Sequence, residues 1–521
     1  MQITFLGHAG FLVTCSEDVI LCDPWFSPFG AYAASWFPFP ANASVDITQL
    51  ERATHLYISH WHQDHLDRWF LNSRSREFKD RVIVIIPKFQ YPHLIDPVRE
   101  WGYRNIVEVE DELRTTNGTR IYIQRDENPL YSDSSITIAT EDAVFVNSND
   151  CKLTIGQEEE IVKRFGAVTV YAAQFSGATF HPTCYDYPSE TKREISTQRR
   201  AAKFQRILHS MQRLGATTYI PSAGPACFLS DDLFALNRNP ETVFSTSGDF
   251  RTWLDDQPQP PWDYRELLPG QTFSCNARDS HRNTSSVIGE EYDSADYLAH
   301  YAADRAEEIR NELARFDHPV SNILEATKQH FRELLDTVPE LARKANVTLE
   351  MKITNVGSFF VDTAQGVIYD VRRPIVRNQR YEIEISEFWM CAIVGAKIRW
   401  EDFILAFRFR IHRSPDVYNE AFIAFLHLDS REEREDYMRH LDLLSRRDCE
   451  RIQRYHNGKL LEYDRYCPHN CEDLSEATIE EGVLTCPRHF WRFSLEDGCG
   501  LNNPGSIHAV EVETRNVDVV I

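Results

Sequence analysis

The chain has 521 residues, enough for about three domains that each bury a core. Its 79 acidic side chains against 56 basic ones leave a net charge of −23, which excludes a general nucleic-acid or anionic-membrane surface but leaves room for a local basic pocket. No apolar run is long enough to span a bilayer, and Met1-Gln-Ile-Thr-Phe-Leu-Gly-His8 carries no signal-peptide pattern. A cytoplasmic protein is therefore expected, and twelve scattered cysteines fit reduced thiols better than a disulfide framework.

Two early strands flank Gly7-His8-Ala9-Gly10-Phe11 and Ile20-Leu-Cys-Asp23-Pro24-Trp25. Thr54–Ser59 reads as a buried strand, followed at once by His60-Trp-His62-Gln-Asp64-His65-Leu-Asp67. A loop leaving a strand end can turn several side chains to one point. Three imidazoles and a carboxylate in six residues form a metal-ligand set, where a lone His would read as structural. Ala143–Asn147 is a further predicted strand, with Asp150 just past its end. A carboxylate there can bridge two metals, which a neutral imidazole cannot. Val168–Ala173 is another strand, leading through Gln174-Phe-Ser-Gly-Ala-Thr-Phe to His181.

These motifs resemble the metallo-β-lactamase fold, in its branch similar to L-ascorbate-6-phosphate lactonase, over residues 1–250. The resemblance implies an αββα sandwich with a dinuclear centre. Asp23 would orient a ligating His, and His8 would either line the site or be a buried structural imidazole. The later ligands of that fold are a His, a bridging Asp and a final His. Asp150 and His181 take the last two places. For the first, the sequence between His65 and Asp150 offers only His93, in a Tyr-Pro-His stretch that reads as packing. The segment from Ile121 to Pro129 supplies carboxylates instead. Glu127 is the choice, with Asp126 and Asp133 as competitors. More carboxylate oxygen and fewer nitrogens favour iron or manganese over zinc.

A Glu in that position resembles the small group of metallo-β-lactamase-fold di-iron oxygenases, similar to the β-hydroxylase of chloramphenicol biosynthesis. Carried over, one iron would have His60, His62, Glu127 and Asp150. The other would have Asp64, His65, Asp150 and His181, and Glu127 and Asp150 would be the catalytic carboxylates.

Past residue 250 the composition changes. Asp255-Asp-Gln-Pro-Gln-Pro-Pro-Trp262 reads as a boundary loop, opening a mixed helix/strand region at 251–445. Ser294–Arg315 and Leu324–Leu335 show helical spacing, and Val347–Val361 and Val367–Ile385 contain strand-like alternation. His412 and Asp416 read as members of a solvated loop. Arg408, Arg410 and Arg413 are candidates to hold an anionic substrate or dock the last domain.

The final region, 446–521, carries Cys467-Pro-His469, sixteen residues, then Cys486-Pro-Arg-His489. Two thiolates on one iron and two imidazoles on the other are the ligand set of a Rieske [2Fe–2S] centre. The alternative is tetrahedral Cys₂His₂ zinc. Strand Ile479–Thr485 with Gly482, the Asp497–Gly498 turn and a strand near Ala509–Val512 resemble a small all-β Rieske domain. Cys471 and Cys499 are expected to remain thiols.

A lactonase-like domain with a Rieske domain resembles the CMP-N-acetylneuraminate hydroxylase family. Val144–Cys151, Phe175-Ser-Gly-Ala-Thr-Phe and Pro221-Ser-Ala-Gly reinforce this, although that family carries the Rieske domain at its N-terminus. The implied class is an α+β multidomain, O₂-dependent oxygenase acting on a small molecule, anionic ones included, by carbon or nitrogen oxidation. Electrons would come from a reductase or ferredoxin, in a chain acting alone or as a homo-oligomer. The rival is a metal-dependent hydrolase with an accessory redox domain.

Overall fold

In the computed structural model of the chain, the described residues are 1–126, 132–257, 262–275, 292, 294–371, 379–445, 450–468, 472–487, 490–503 and 505–512. The chain divides into two compact units. The first runs to Asp317 and regains Asp402–Arg408; the second holds His318–Glu401 and the chain from Phe409 onward.

Apolar alternation builds the first unit. One sheet contains β1 (Gln2–Gly7), β2 (Gly10–Cys15), β3 (Asp18–Cys22), β4 (His55–Tyr57), β5 (Ile83–Pro87) and β6 (Asn105–Val109). The other contains β7 (Glu112–Arg114), β8 (Arg120–Arg125), β9 (Ser134–Ala139), β10 (Val144–Asn147), β11 (Val170–Gln174) and β12 (Thr218–Ser222). The short strands β13 (Asp263–Tyr264) and β14 (Thr272–Ser274) each close an edge. The orders are β14-β1-β2-β3-β4-β5-β6 and β13-β12-β11-β10-β9-β8-β7. Both sheets pass from antiparallel pairing to parallel pairing in the same way, changing over at β3/β4 and at β10/β11.

Period-2 patterning gives each strand two buried faces. Phe11, Val13, Ile85, Phe145 and Ile220 meet between the sheets. Leu12, Val84 and Ile86 face the outer layer of the first sheet. Val144, Val146 and Tyr219 pack under helices Ile155–Phe165, Ser189–Arg213 and Ser247–Asp255, which contribute Ile161, Phe204 and Phe250. This is the αββα sandwich of the metallo-β-lactamase fold. The unit continues past residue 250 because β13 and β14 complete the sheets, and because helix Ala295–Ala314 packs Leu298, Tyr301 and Ile309 with Phe37, Phe39 and Cys227.

The second unit contains a five-stranded sheet of β15 (Val347–Thr354), β16 (Gly357–Asp362), β17 (Val367–Tyr369), β18 (Gln379–Ser386) and β19 (Phe409–Ser414), in the order β17-β16-β15-β18-β19. His412 therefore lies on a strand and not in the expected loop: Phe409, Ile411 and Arg413 point inward while Arg410 and His412 are exposed. The sequence hides this strand because Arg and His fill its solvent face. The same unit carries two small sheets. One is β20 (Arg451–His456), β21 (Lys459–Asp464) and β25 (Val510–Glu511); the other is β22 (Thr478–Glu480), β23 (Val483–Thr485) and β24 (Arg492–Ser494). Among the described residues no helix is long and apolar enough to cross a membrane.

Asp18, at the start of β3, ties the two sheets of the first unit. Its buried carboxylate accepts from Thr115 Oγ1 (2.7 Å), Thr119 Oγ1 (2.6 Å) and Asn117 Nδ2 (2.9 Å) on the β7–β8 turn. Burial opposes ionisation, but the Thr119, Thr115 and Asn117 bonds outweigh it and hold the carboxyl below its ordinary value. A depressed folded pKa stabilises the fold fully above the unfolded carboxylate value near ~3.9, and that contribution is lost as pH falls through the folded value. Asp18→Asn is expected to flatten the acid limb of the stability profile below about pH 4. Asp18→Ala is expected to cost about 2–3 kcal/mol in chemical denaturation, because three donors lose their acceptor.

Candidate metal centres

The first site forms at one edge of the sandwich, where β1, β3, β4 and β10 end and β9 begins. Tyr57, the last residue of β4, bonds Ser134 Oγ at 2.7 Å, and Ser134 Oγ donates to Ser59 O at 2.7 Å. These bonds tie the two sheets beneath the metal loop. The Asp23 carboxylate, fully buried, accepts from Ser59 N (2.8 Å), Ser59 Oγ (2.6 Å) and His65 Nδ1 (2.9 Å). A carboxylate on Nδ1 fixes the ring and leaves Nε2 as the ligating atom. His65 Nε2 is buried and makes no hydrogen bond.

The remaining donors converge around it. His60 Nε2 lies 2.8 Å from His62 Nδ1 and 3.4 Å from Asp133 Oδ1. His65 Nε2 lies 3.6 Å from Asp150 Oδ2 and 3.8 Å from Asp64 Oδ2. Ligands at about 2.1 Å from one ion sit about 3.0–3.4 Å apart at octahedral to tetrahedral angles. The spacings bracket that range, from a hydrogen-bonded 2.8 Å to an open 3.8 Å. Three groups have all their donor atoms within 4.8 Å: His60/His62/Asp133, His60/His65/Asp150 and His8/Asp64/His65. The group of Asp150 shares His60 with the first group and His65 with the third.

The charges fit a cation. Burial, then the neighbouring His65 and His62 rings, pushes His60 well below the ordinary imidazole value, so its lone pair is free for a metal. Burial works against the Asp64 carboxylate, yet His65 and His8 hold it well below its usual range. Asp133 is pushed up to about 7, by burial foremost and then by Asp150 and Asp126 against the pull of His62. A bound cation would reverse that cost.

Asp64 is held from both sides. Its Oδ2 lies 2.9 Å from His8 Nε2, and its Oδ1 accepts from Tyr32 Oη at 2.6 Å. Tyr32 begins a left-handed run, with φ of 52°, 55° and 55° at Tyr32, Ala33 and Ala34. Such backbone costs about 1–2 kcal/mol per residue. Gln63 Oε1 accepts from Tyr32 N, and Arg408 Nη1 donates to Ala33 O and Ser35 Oγ while its Nε donates to Asp232 Oδ2. Arg408 is thus a buried clamp and not the anion-binding group the sequence offered. Arg413 likewise donates to Asp416 Oδ1 at 2.6 Å. On the bridging side, Gln174 Nε2 donates to Asp150 Oδ1 at 2.6 Å, and Lys203 donates to Gln174 Oε1.

The positions named from sequence separate as follows. His60, His62, Asp64, His65 and Asp150 converge at this edge. Glu127 lies outside the described residues. Of its competitors, Asp133 sits against His60 and His62, while Asp126 belongs to none of the three groups. His181 also belongs to none; its ring packs on Tyr185 at 4.8 Å and Tyr187 at 5.7 Å. Tyr32, Gln174 and Lys203 were missed because no short motif links them to the loop they support.

The second site lies in the small sheets. Cys467 and Cys486 are fully buried among Leu474, Leu484, Trp491 and Ile507, and neither is in a disulfide. Each opens a loop closed in the same way: Cys467 N donates to Glu472 O (2.9 Å) and Cys486 N to Trp491 O (2.8 Å). His469, Cys471 and His489 fall outside the described residues. Gly505 packs against both loops, since a Cβ there would stand 2.7 Å from Pro468 Cγ and 3.1 Å from Trp491 Cζ3.

The C-terminal region marks an iron–sulfur protein, and the sandwich edge gathers a second set of side chains that could hold a metal ion. Residues 432–511 match the Rieske [2Fe-2S] domain family. A Rieske 2Fe-2S iron–sulfur protein from Mycobacterium tuberculosis is 31% identical over 96% of this chain and 97% of its own. The chain belongs to that family of Rieske iron–sulfur proteins. It is also 22% identical to the cytidine monophosphate-N-acetylneuraminic acid hydroxylase of Xenopus laevis, over 81% of this chain and 71% of that one. Among solved structures it matches CmlA, a diiron β-hydroxylase from Streptomyces venezuelae, at 16% identity and a TM-score of 0.35, over 52% of this chain and 53% of that one.

Two outcomes follow. Asp23→Ala is expected to weaken metal binding at the N-terminal edge by about 10–100-fold in a competition titration, since His65 loses its orienting carboxylate. Gly505→Ala is expected to displace Pro468 or Trp491 and so lower cluster content, read as the loss of Rieske absorbance and EPR intensity per chain.

Proposed function

We propose that the chain is an O₂-dependent oxygenase of a small-molecule substrate, with a dinuclear iron site at the sandwich edge and electrons entering through the Rieske domain. One observation carries the reading: the carboxylates of Asp64, Asp133 and Asp150 share the edge with the imidazoles of His8, His60, His62 and His65, in a chain that also holds a Rieske domain. Three carboxylates among the donors suit iron or manganese better than zinc. The sequence relationship to the Xenopus hydroxylase supports it.

His60, His62 and Asp133 would hold one ion, Asp64 and His65 would belong to the other, and Asp150 would bridge. Two iron ions held there would supply the activation of O₂. The rest is the work of the chain's own groups. Asp23 keeps the proton on His65 Nδ1, so Nε2 stays a lone-pair donor. Tyr32 keeps its phenolic proton and donates that hydrogen bond to Asp64 Oδ1, and burial holds its pKa well above the ordinary value. Gln174, held by Lys203, fixes the direction of Asp150. Cys467, His469, Cys486 and His489 would carry single electrons from a reductase or ferredoxin. The balance is two electrons and two protons per O₂, with one oxygen atom entering a C–H or amine nitrogen of the substrate and the other leaving as water.

Metal analysis with Mössbauer spectroscopy on anaerobically purified protein tests this. About four irons per chain are expected, half with a Rieske signature and half as an antiferromagnetically coupled pair. Zinc at the sandwich edge with anaerobic hydrolytic activity would sink the reading. Cys467→Ser is expected to abolish turnover driven by a reductase while leaving the edge site's metal content unchanged.

A further inference from the structure

The geometry points to His8 as a metal ligand of the second ion, supplying the imidazole that completes its shell. This rests on the dinuclear reading above. The first ion has three donors of its own, His60, His62 and Asp133, and shares Asp150. The second has only Asp64 and His65 of its own unless a further side chain joins them. Among the described residues His8 is the one that does: His8, Asp64 and His65 place their donor atoms within 4.8 Å of one another. With it, each ion has three private donors and one shared carboxylate.

Three further observations separate this role from simple packing. His8 Nε2 lies 2.9 Å from Asp64 Oδ2, a hydrogen-bond gap just under the ~3.0–3.4 Å between neighbouring ligands on one ion, whereas Asp64 Oδ1 is already occupied by Tyr32 Oη. The ring is 3% exposed, and its Nδ1 is buried with no hydrogen bond, although structural imidazoles normally satisfy both nitrogens. Finally, the backbone spends strain to present the ring. His8 sits in the tight β1–β2 turn at φ 52°, a conformation costing about 1–3 kcal/mol for a residue other than Gly. It is anchored from the facing sheet, where Ala223 N donates to His8 O at 2.9 Å. Trp25 and His65 fix the ring plane, with centroids at 5.0 and 5.5 Å.

The test counts metal at saturation, so that a ligand is distinguished from a group that only orients Asp64. The full-length chain is loaded with excess Fe²⁺ or Co²⁺ under anaerobic conditions and desalted, and metal per chain is normalised to the Rieske EPR signal. His8→Gly suits the backbone, because Gly accepts the left-handed turn. It is expected to lose about one of the two edge-site ions, with recovery in added imidazole, while His181→Ala keeps both. Retention of both ions by His8→Gly at saturation would overturn the assignment. In the cobalt-loaded wild-type chain, hyperfine-shifted ring N–H signals are expected from four imidazoles, His8, His60, His62 and His65; this readout needs no variant, and a wild-type count of three or fewer would overturn the assignment as well. Loading with zinc in place of iron bears on the oxygenase reading alone, since the ion count holds for any divalent metal.

Discussion

The contact on which the N-terminal site depends is the buried Asp23 carboxylate. It accepts two bonds from Ser59 and one from His65 Nδ1. A carboxylate removed from water in this way is tolerable only if its lone pairs are filled, and here they are filled by the metal loop itself. The end of β3 and the loop after β4 are therefore locked as one piece, and the aim of the His65 ring follows from that lock. Ser134, bonded to Tyr57 and Ser59, extends it to the other sheet.

Around this lock the backbone is repeatedly left-handed without glycine. His8, Asp23, Tyr32, Ala33, Ala34, Asn149 and Ala223 all have φ between 38° and 55°, and all lie at or beside the metal edge. Each costs of order 1–3 kcal/mol, which persists only where surrounding structure over-determines it. The sandwich provides that constraint through fully buried strands, the Arg408 clamp on Ala33 and Ser35, and the Ala223–His8 bond. Stability of the core is spent on the aim of a few side chains.

The Rieske domain uses a different device. Two loops of equal length, each tied from a Cys N–H to a carbonyl five residues on, bring Cys467 and Cys486 into one small apolar core. Gly505 leaves the space in which Pro468 and Trp491 meet.

Much of this was legible along the chain, because alternation and motif spacing are local. The strands before His60 and Asp150, the ligand loop from His60 to His65 and the Cys pairs all follow from neighbouring residues. What sequence left open were matters of distance in space. Asp133 against His60, Tyr32 and His8 on Asp64, and Lys203 behind Gln174 bring together residues 29 to 73 positions apart along the chain, a separation no motif can encode. Arg408 shows the same limit, since a charge that looked free for an anion is spent across 375 residues on the carbonyl of Ala33. Local chemistry determined which donors this protein owns. Only the closure of two sheets onto one edge decided which of them meet, because convergence depends on strand order and backbone aim and not on spacing in the chain.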